Sequence, residues 1–140
     1  MKPQARSKAR ELALQALYSW LMSGNNIKQI ELNIATTNDM KKVDMPYFQA
    51  ILAGVSGDVD KIDTTIKPYL GRLPEELDPI EKSILRLATF ELLERIDIPY
   101  KVIINEAIEL AKSYGAEESH KFINGSLDKA VKTLRKHERT

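Results

Sequence analysis

Lys2, Arg6 and Arg10 stand four residues apart. On a helix that spacing makes one row of cations, and the positive N-terminal end of the helix adds to its attraction for phosphate. Projected at about 100° per residue, the row runs on into Ala13 and Leu17, which the apolar spacing assigns to a buried face. Cations at a core azimuth are expected to project beyond the bundle or to cross a groove, facing an anion. Tyr18 and Leu14 flank the row off the main apolar face, which fits rim packing as well as a contact surface.

Other chemistry is largely excluded. The chain has no cysteine, so disulfides, thiolate catalysis and Cys-ligated metals are ruled out. His120 and His137 are its only histidines, and neither sits in an HExxH or Glu-x-x-His arrangement, so no metal site is expected. "GVSGD" at Gly54 lacks the second Gly of a nucleophile elbow, and no P-loop or dinucleotide fingerprint occurs. The carboxylates are explained as solvated helix faces, and the chain is expected to be neither an enzyme nor a cofactor carrier.

The net charge of +1 conceals an asymmetry. Residues 1–10 carry four Lys or Arg and no acid, and residues 120–140 carry six against Asp128 and Glu138, so each end is +4 and the middle is −7. If the fold gathers the ends, they make one surface for a polyanion; otherwise they are merely solvated. No apolar run is long enough to span a bilayer, and the N-terminus lacks a signal-peptide core, so a cytoplasmic protein without membrane association is expected.

Helices must position these residues. With 43% hydrophobic and 29% charged residues, 140 residues suffice for one compact domain with a real core. Ala5, Ala9, Leu12, Ala13, Ala16, Leu17 and Trp20 mark a first helix from about residue 4 to Met22, ended by Gly24. A shorter helix follows with Ile27, Ile30 and Ile34 inward. Asp44 caps a long helix whose seam runs Phe48, Leu52, Val55, Val59, Ile62, Ile66 and Tyr69, on which Gly54 and Gly57 permit close packing. Asp78-Pro79-Ile80-Glu81 reads as a capping box opening a helix apolar on most sides, which belongs at the centre. A fifth helix carries Ile104 to Tyr114, and a sixth runs from about Glu117 past Leu134 before the tail "RKHERT" frays. The expected fold is all-α: two packed three-helix bundles in one domain, with subdomains at about 1–73 and 74–140. Asn124-Gly125 is a hairpin signal, but Ile123, Leu127, Ala130, Val131 and Leu134 keep helical spacing, so the helix prevails. Gly there is expected to admit a close-packed neighbour, since it otherwise costs about 1 kcal/mol against Ala.

"ARELALQALYSW" at Ala9, "KPYLGRL" at Lys67 and above all "YKVIINEAIELAKSYGAEESHKFINGSLDK" at Tyr100 resemble the NusB family of bacterial transcription antitermination factors. The resemblance covers nearly the whole chain in order, departing in the second helix, the tail and Ser7, where some members have another Arg. It implies two packed three-helix bundles that bind boxA, a short single-stranded RNA element of ribosomal RNA leader transcripts, together with NusE, a small-subunit ribosomal protein. The pair joins RNA polymerase and other Nus factors to suppress premature termination. By the resemblance Arg6, Arg10 and Phe122 are RNA-contacting, Tyr18 and Glu81 contact NusE, and Glu118 stands at an acidic position beside both surfaces. Lys2 and Lys121 join the RNA set from charge and spacing.

Single-stranded RNA is held by stacking bases on aromatic rings while cations hold phosphates. Ile123 takes the core-facing position beside Phe122, so that ring is expected at an exposed or rim site. Glu75, Glu76 and Glu81 then offer an acidic face to a basic ribosomal protein. Alternatives are a free-standing NusB-like RNA-binding module related to the N-terminal domain of ribosomal RNA methyltransferases, a DNA-binding helical regulator, and a protein-only adaptor.

Overall fold

Helices begin where the sequence supplies caps. The computed structural model, which describes residues 3–139, has α1 over Pro3–Ser23, α2 over Ile27–Thr37, α3 over Met45–Gly57 and α4 over Val59–Ile66. Two 3-10 turns, Lys67–Tyr69 and Pro74–Glu76, lead into α5 over Pro79–Glu94. Then come α6 over Tyr100–Tyr114, α7 over Ser119–Leu134 and the single turn α8 over Lys136–Arg139. Among the described residues there is no strand, and no helix is long and apolar enough to cross a membrane. Asp44 caps α3 by accepting from the Tyr47 N–H at 3.1 Å. At α5 the capping box closes both ways: Asp78 accepts from the Glu81 N–H at 2.8 Å, and Glu81 accepts from the Asp78 N–H at 3.2 Å.

The seam from Phe48 to Tyr69 does not lie on one helix. Asp58, at φ −132° and ψ 34°, leaves the helical region after Gly57 and separates α3 from α4. Buried Val55 and Ile62 on either side preserve the apolar spacing, so the pattern runs straight through the break. Gly57 is exposed and an added Cβ there meets nothing within 4 Å. Its contribution is therefore weak helix propensity rather than close packing. The chain divides at this point into two compact units, Met1–Asp58 and Val59–Thr140, earlier than the Pro74 division read from the sequence.

In the first unit α1 packs on α2 and α3, and α2 on α3. Ala9, Ala13, Ala16 and Leu17 of α1 are buried, as are Phe48, Ile51 and Leu52 of α3. In the second unit α5 is in contact with α4, α6 and α7, which explains why its residues from Ser83 to Leu92 are buried on every side. α6 and α7 pack on each other and bury Ile103, Leu110, Ile123 and Leu127.

The charged tail is held in place from Arg135 to Glu138. Arg135 is 5% exposed and donates to four backbone carbonyls: Leu92 at 2.9 Å, Ile98 and Arg95 at 3.0 Å, and Glu91 at 3.3 Å. Its guanidinium also pairs with Glu138, which accepts from the Tyr100 N–H at 2.7 Å at the start of α6. Burial pushes the Glu138 carboxyl up, but the Tyr100 N–H and the Arg135 guanidinium outweigh it and hold it below its ordinary value of 4.5. A carboxyl whose folded pKa is depressed adds stability above its unfolded pKa and loses it as pH falls through the folded value. The stability gap between wild type and Glu138→Gln is therefore expected to be open at pH 7 and to close in acid, as pH falls through the lowered pKa of Glu138. Urea unfolding across that range checks this, and a gap independent of pH would remove the titration from the explanation.

Gly125 also departs from expectation. It is exposed, and an added Cβ meets nothing within 4 Å, so no neighbouring helix requires it. Ile123, Leu127, Ala130 and Val131 take the buried side of α7 and leave Asn124 and Gly125 facing outward. Gly125→Ala is expected to stabilise the fold by roughly 1 kcal/mol through helix propensity alone. Thermal unfolding tests it, and a lowered melting temperature would reveal a packing role.

Candidate nucleic-acid interface

In the first unit the basic row is held against α3. Lys2 lies outside the described residues. Arg6 keeps 31% of its side chain exposed; its Nε is 3.6 Å from an Asp44 carboxylate oxygen, and its guanidinium sits 5.0 Å over the Tyr47 ring. Arg10, by contrast, is 2% exposed, with its guanidinium 5.4 Å over the same ring. The expectation that the whole row turns away from the core therefore fails at Arg10. The Tyr47 ring supplies an electron-rich face against which the Arg10 guanidinium is buried at lower cost. Tyr18 is 36% exposed while Leu14 is buried at 1%, so the two flanking residues separate into a surface ring and a core residue.

In the second unit a connected cluster forms at the N-terminal ends of α5 and α7. Phe122 is half-buried beside fully buried Ile123, the rim position the spacing implied. The Arg72 guanidinium lies 3.8 Å from the centre of the Phe122 ring, the separation of stacked planes. Arg72 is delivered by the turn that follows the Lys67–Tyr69 3-10 helix, which itself packs on α7. Gly71 makes that turn at φ +64°, in the left-handed region that favours glycine. Lys121 is exposed and pairs with exposed Glu118 at 3.0 Å, and Glu75 is exposed on the Pro74–Glu76 turn.

Glu81 is not an exposed acid. It is 5% exposed, and its carboxylate accepts from the Asp78 N–H, from the Ser119 hydroxyl at 2.9 Å and from Arg72 at 3.4 Å. A Glu that closes a capping box folds back over its own helix end, which removes it from the surface expected to meet a partner. Arg72, Ser119, Tyr47 and Asp44 were missed as site residues, although "KPYLGRL" contains Arg72. Among the described residues no three His, Asp or Glu side chains gather as metal ligands.

The NusB family model matches residues 7–132. This chain belongs to the NusB family. The transcription antitermination protein NusB of Alteromonas mediterranea is 74% identical over 139 residues, covering 99% of both chains. The NusB of Escherichia coli is 55% identical over 139 residues, covering 99% of this chain and all of that one. Among solved structures, T. maritima NusB is 35% identical with a TM-score of 0.84 over 96% of each chain. A crystal structure of antitermination factors NusB and NusE in complex with double-stranded RNA is 25% identical with a TM-score of 0.85, over 94% of this chain and 98% of that one. The all-α architecture is thus the NusB fold, and the relatives are named as antitermination proteins.

Proposed function

We propose that this protein is a cytoplasmic antitermination factor that binds boxA-type single-stranded RNA of ribosomal RNA leader transcripts together with NusE. The complex then joins RNA polymerase and other Nus factors and suppresses premature termination. The observation that carries the RNA and NusE part of the reading is the likeness, over nearly the full chain, to a NusB seen with NusE and double-stranded RNA, while the single-stranded boxA part rests on the sequence resemblance. The chemistry supports it. Arg6, with part of its side chain exposed, offers a phosphate contact from α1, Lys2 joins it on charge and spacing alone, and Lys121 offers one from α7 beside the Phe122 ring. Arg10 contributes through Tyr47 and the footing of α1 rather than as a free cation. NusE contact falls to Tyr18, Glu75 and Glu118, all exposed, with Glu81 in support from below the surface.

Fluorescence anisotropy with labelled boxA RNA, with and without NusE, tests the reading. Binding is expected to be tighter with NusE present and to resist competition by duplex DNA and by double-stranded RNA. Tyr18→Asp is expected to leave the melting temperature nearly intact and to weaken NusE binding about tenfold, or 1.4 kcal/mol. Equal competition by duplexes would remove the single-strand reading, and a large fall in melting temperature would return Tyr18 to the core.

A further inference from the structure

We propose that Arg72 is itself a base-stacking residue and that Glu81 is its positioning residue, so that the RNA surface of the second unit is a two-layer stack rather than Phe122 alone. The proposal rests on the RNA reading above and names the ligand of this site as an unpaired base. One face of Phe122 is already taken by the guanidinium at 3.8 Å, so a base arriving there must either displace Arg72 or stack on its outer face. The Arg72 side chain is 40% exposed, so it can be reached from solvent where it covers the ring. A guanidinium plane stacks on bases as an aromatic ring does, and it brings a positive charge with it.

The group that holds the guanidinium over the ring is Glu81. One of its oxygens accepts from the Asp78 N–H at 3.2 Å and from Arg72 at 3.4 Å, and the other accepts from the Ser119 hydroxyl at 2.9 Å. The carboxylate is thus tied to the first turns of both α5 and α7, with 7% of its side chain exposed. Displacing Arg72 would strand a buried carboxylate that loses its only charged partner among the contacts described, so stacking on Arg72 is the easier path. Gly125, one turn along α7 from Phe122, has open space where a side chain would stand. A base approaching this part of α7 therefore meets no bulk from that position.

The test uses the full chain with NusE and a boxA-type single strand carrying 2-aminopurine, read by anisotropy across a salt series and by quenching of the probe. Arg72→Lys keeps the charge and removes the plane. It is expected to bind about tenfold more weakly, with an unchanged salt slope and less quenching. Glu81→Gln keeps an acceptor for the capping box. It is expected to melt close to wild type and to weaken binding by a smaller factor. Measured without NusE, so that the partner contact does not enter, adding Glu81→Gln to Arg72→Lys is expected to weaken binding no further, because a positioning residue acts only through its partner. Wild-type affinity in Arg72→Lys overturns the stacking role, and tighter binding by Arg72→Ala makes Arg72 a cover over Phe122 instead. An additional loss in the double variant overturns the positioning role of Glu81. Wild type that binds no single-stranded RNA sinks the functional reading along with this one, whereas wild type that binds while Arg72→Lys matches it sinks this proposal alone.

Discussion

Arg135→Ala is expected to lower the unfolding free energy by about 3–5 kcal/mol, the range for removing one member of a buried, charge-assisted network. The guanidinium holds the carbonyls of Glu91, Leu92 and Arg95 around the end of α5, and that of Ile98 in the connection to α6. The C-terminal end of a helix leaves its last carbonyls without intrahelical donors and carries partial negative charge, so one buried cation answers both needs. The Glu91 and Arg95 carbonyls would keep the Arg95 and Ile98 N–H groups as donors, whereas alanine would take from the Leu92 and Ile98 carbonyls the guanidinium that they accept from, and would release Glu138 from its partner at the start of α6. Arg135→Lys restores the charge but not the planar fork, and is expected to recover less than half of the loss. Urea unfolding measures both variants, and for a chain of this size the alanine variant should melt lower by on the order of 10 °C. A loss under about 1 kcal/mol would mean that water takes over the carbonyls and that the tail is dispensable.

Much of the frame was legible because helix ends are local chemistry. Asp44, and Asp78 with Pro79 and Glu81, announce α3 and α5, and both caps form as read. The features that escaped the sequence are those whose cause lies far along the chain or on the opposite side of a helix. Arg135 sits in a run of charges that reads as solvated, and its acceptors are some forty residues earlier. The break at Asp58 is invisible to apolar spacing because α3 and α4 bury residues in unbroken phase across it. Gly125, on the other hand, was decidable: at about 100° per residue it lies some 200° from Ile123 and from Leu127, which points it away from the core they define.

The candidate site was legible by residue type and less so by exposure. Phe122 fell at the rim because its neighbour Ile123 fills the core. Arg10 and Glu81 were each assigned to the surface because charge implies it, and each is buried against a partner supplied by another segment: Tyr47 for Arg10, Arg72 and Ser119 for Glu81. Charge sets where a side chain is stable without partners, and only tertiary structure says whether partners are there.

Burial of Arg10 changes what the basic row is expected to do in solution. Each neutralised phosphate of a single strand contributes about 0.7 to the slope of log affinity against log salt. Lys2→Gln together with Arg6→Gln is therefore expected to reduce that slope by about 1.4, with boxA and an unrelated single strand weakened by similar factors, because phosphate contacts carry no sequence information. Arg10→Gln is expected to add little to that change and instead to lower stability by about 2 kcal/mol, through loss of a desolvated cation over the Tyr47 ring. Phe122→Ala should do the reverse of the double variant: an unchanged slope, and about 1–3 kcal/mol of lost affinity from stacking. A salt titration of RNA binding with NusE present, paired with thermal unfolding of each variant, separates these effects. A wild-type slope in the double variant would make the start of α1 a solvated face. A slope that falls by a further 0.7 in Arg10→Gln, at unchanged stability, would show that the guanidinium leaves Tyr47 to meet a phosphate when RNA binds.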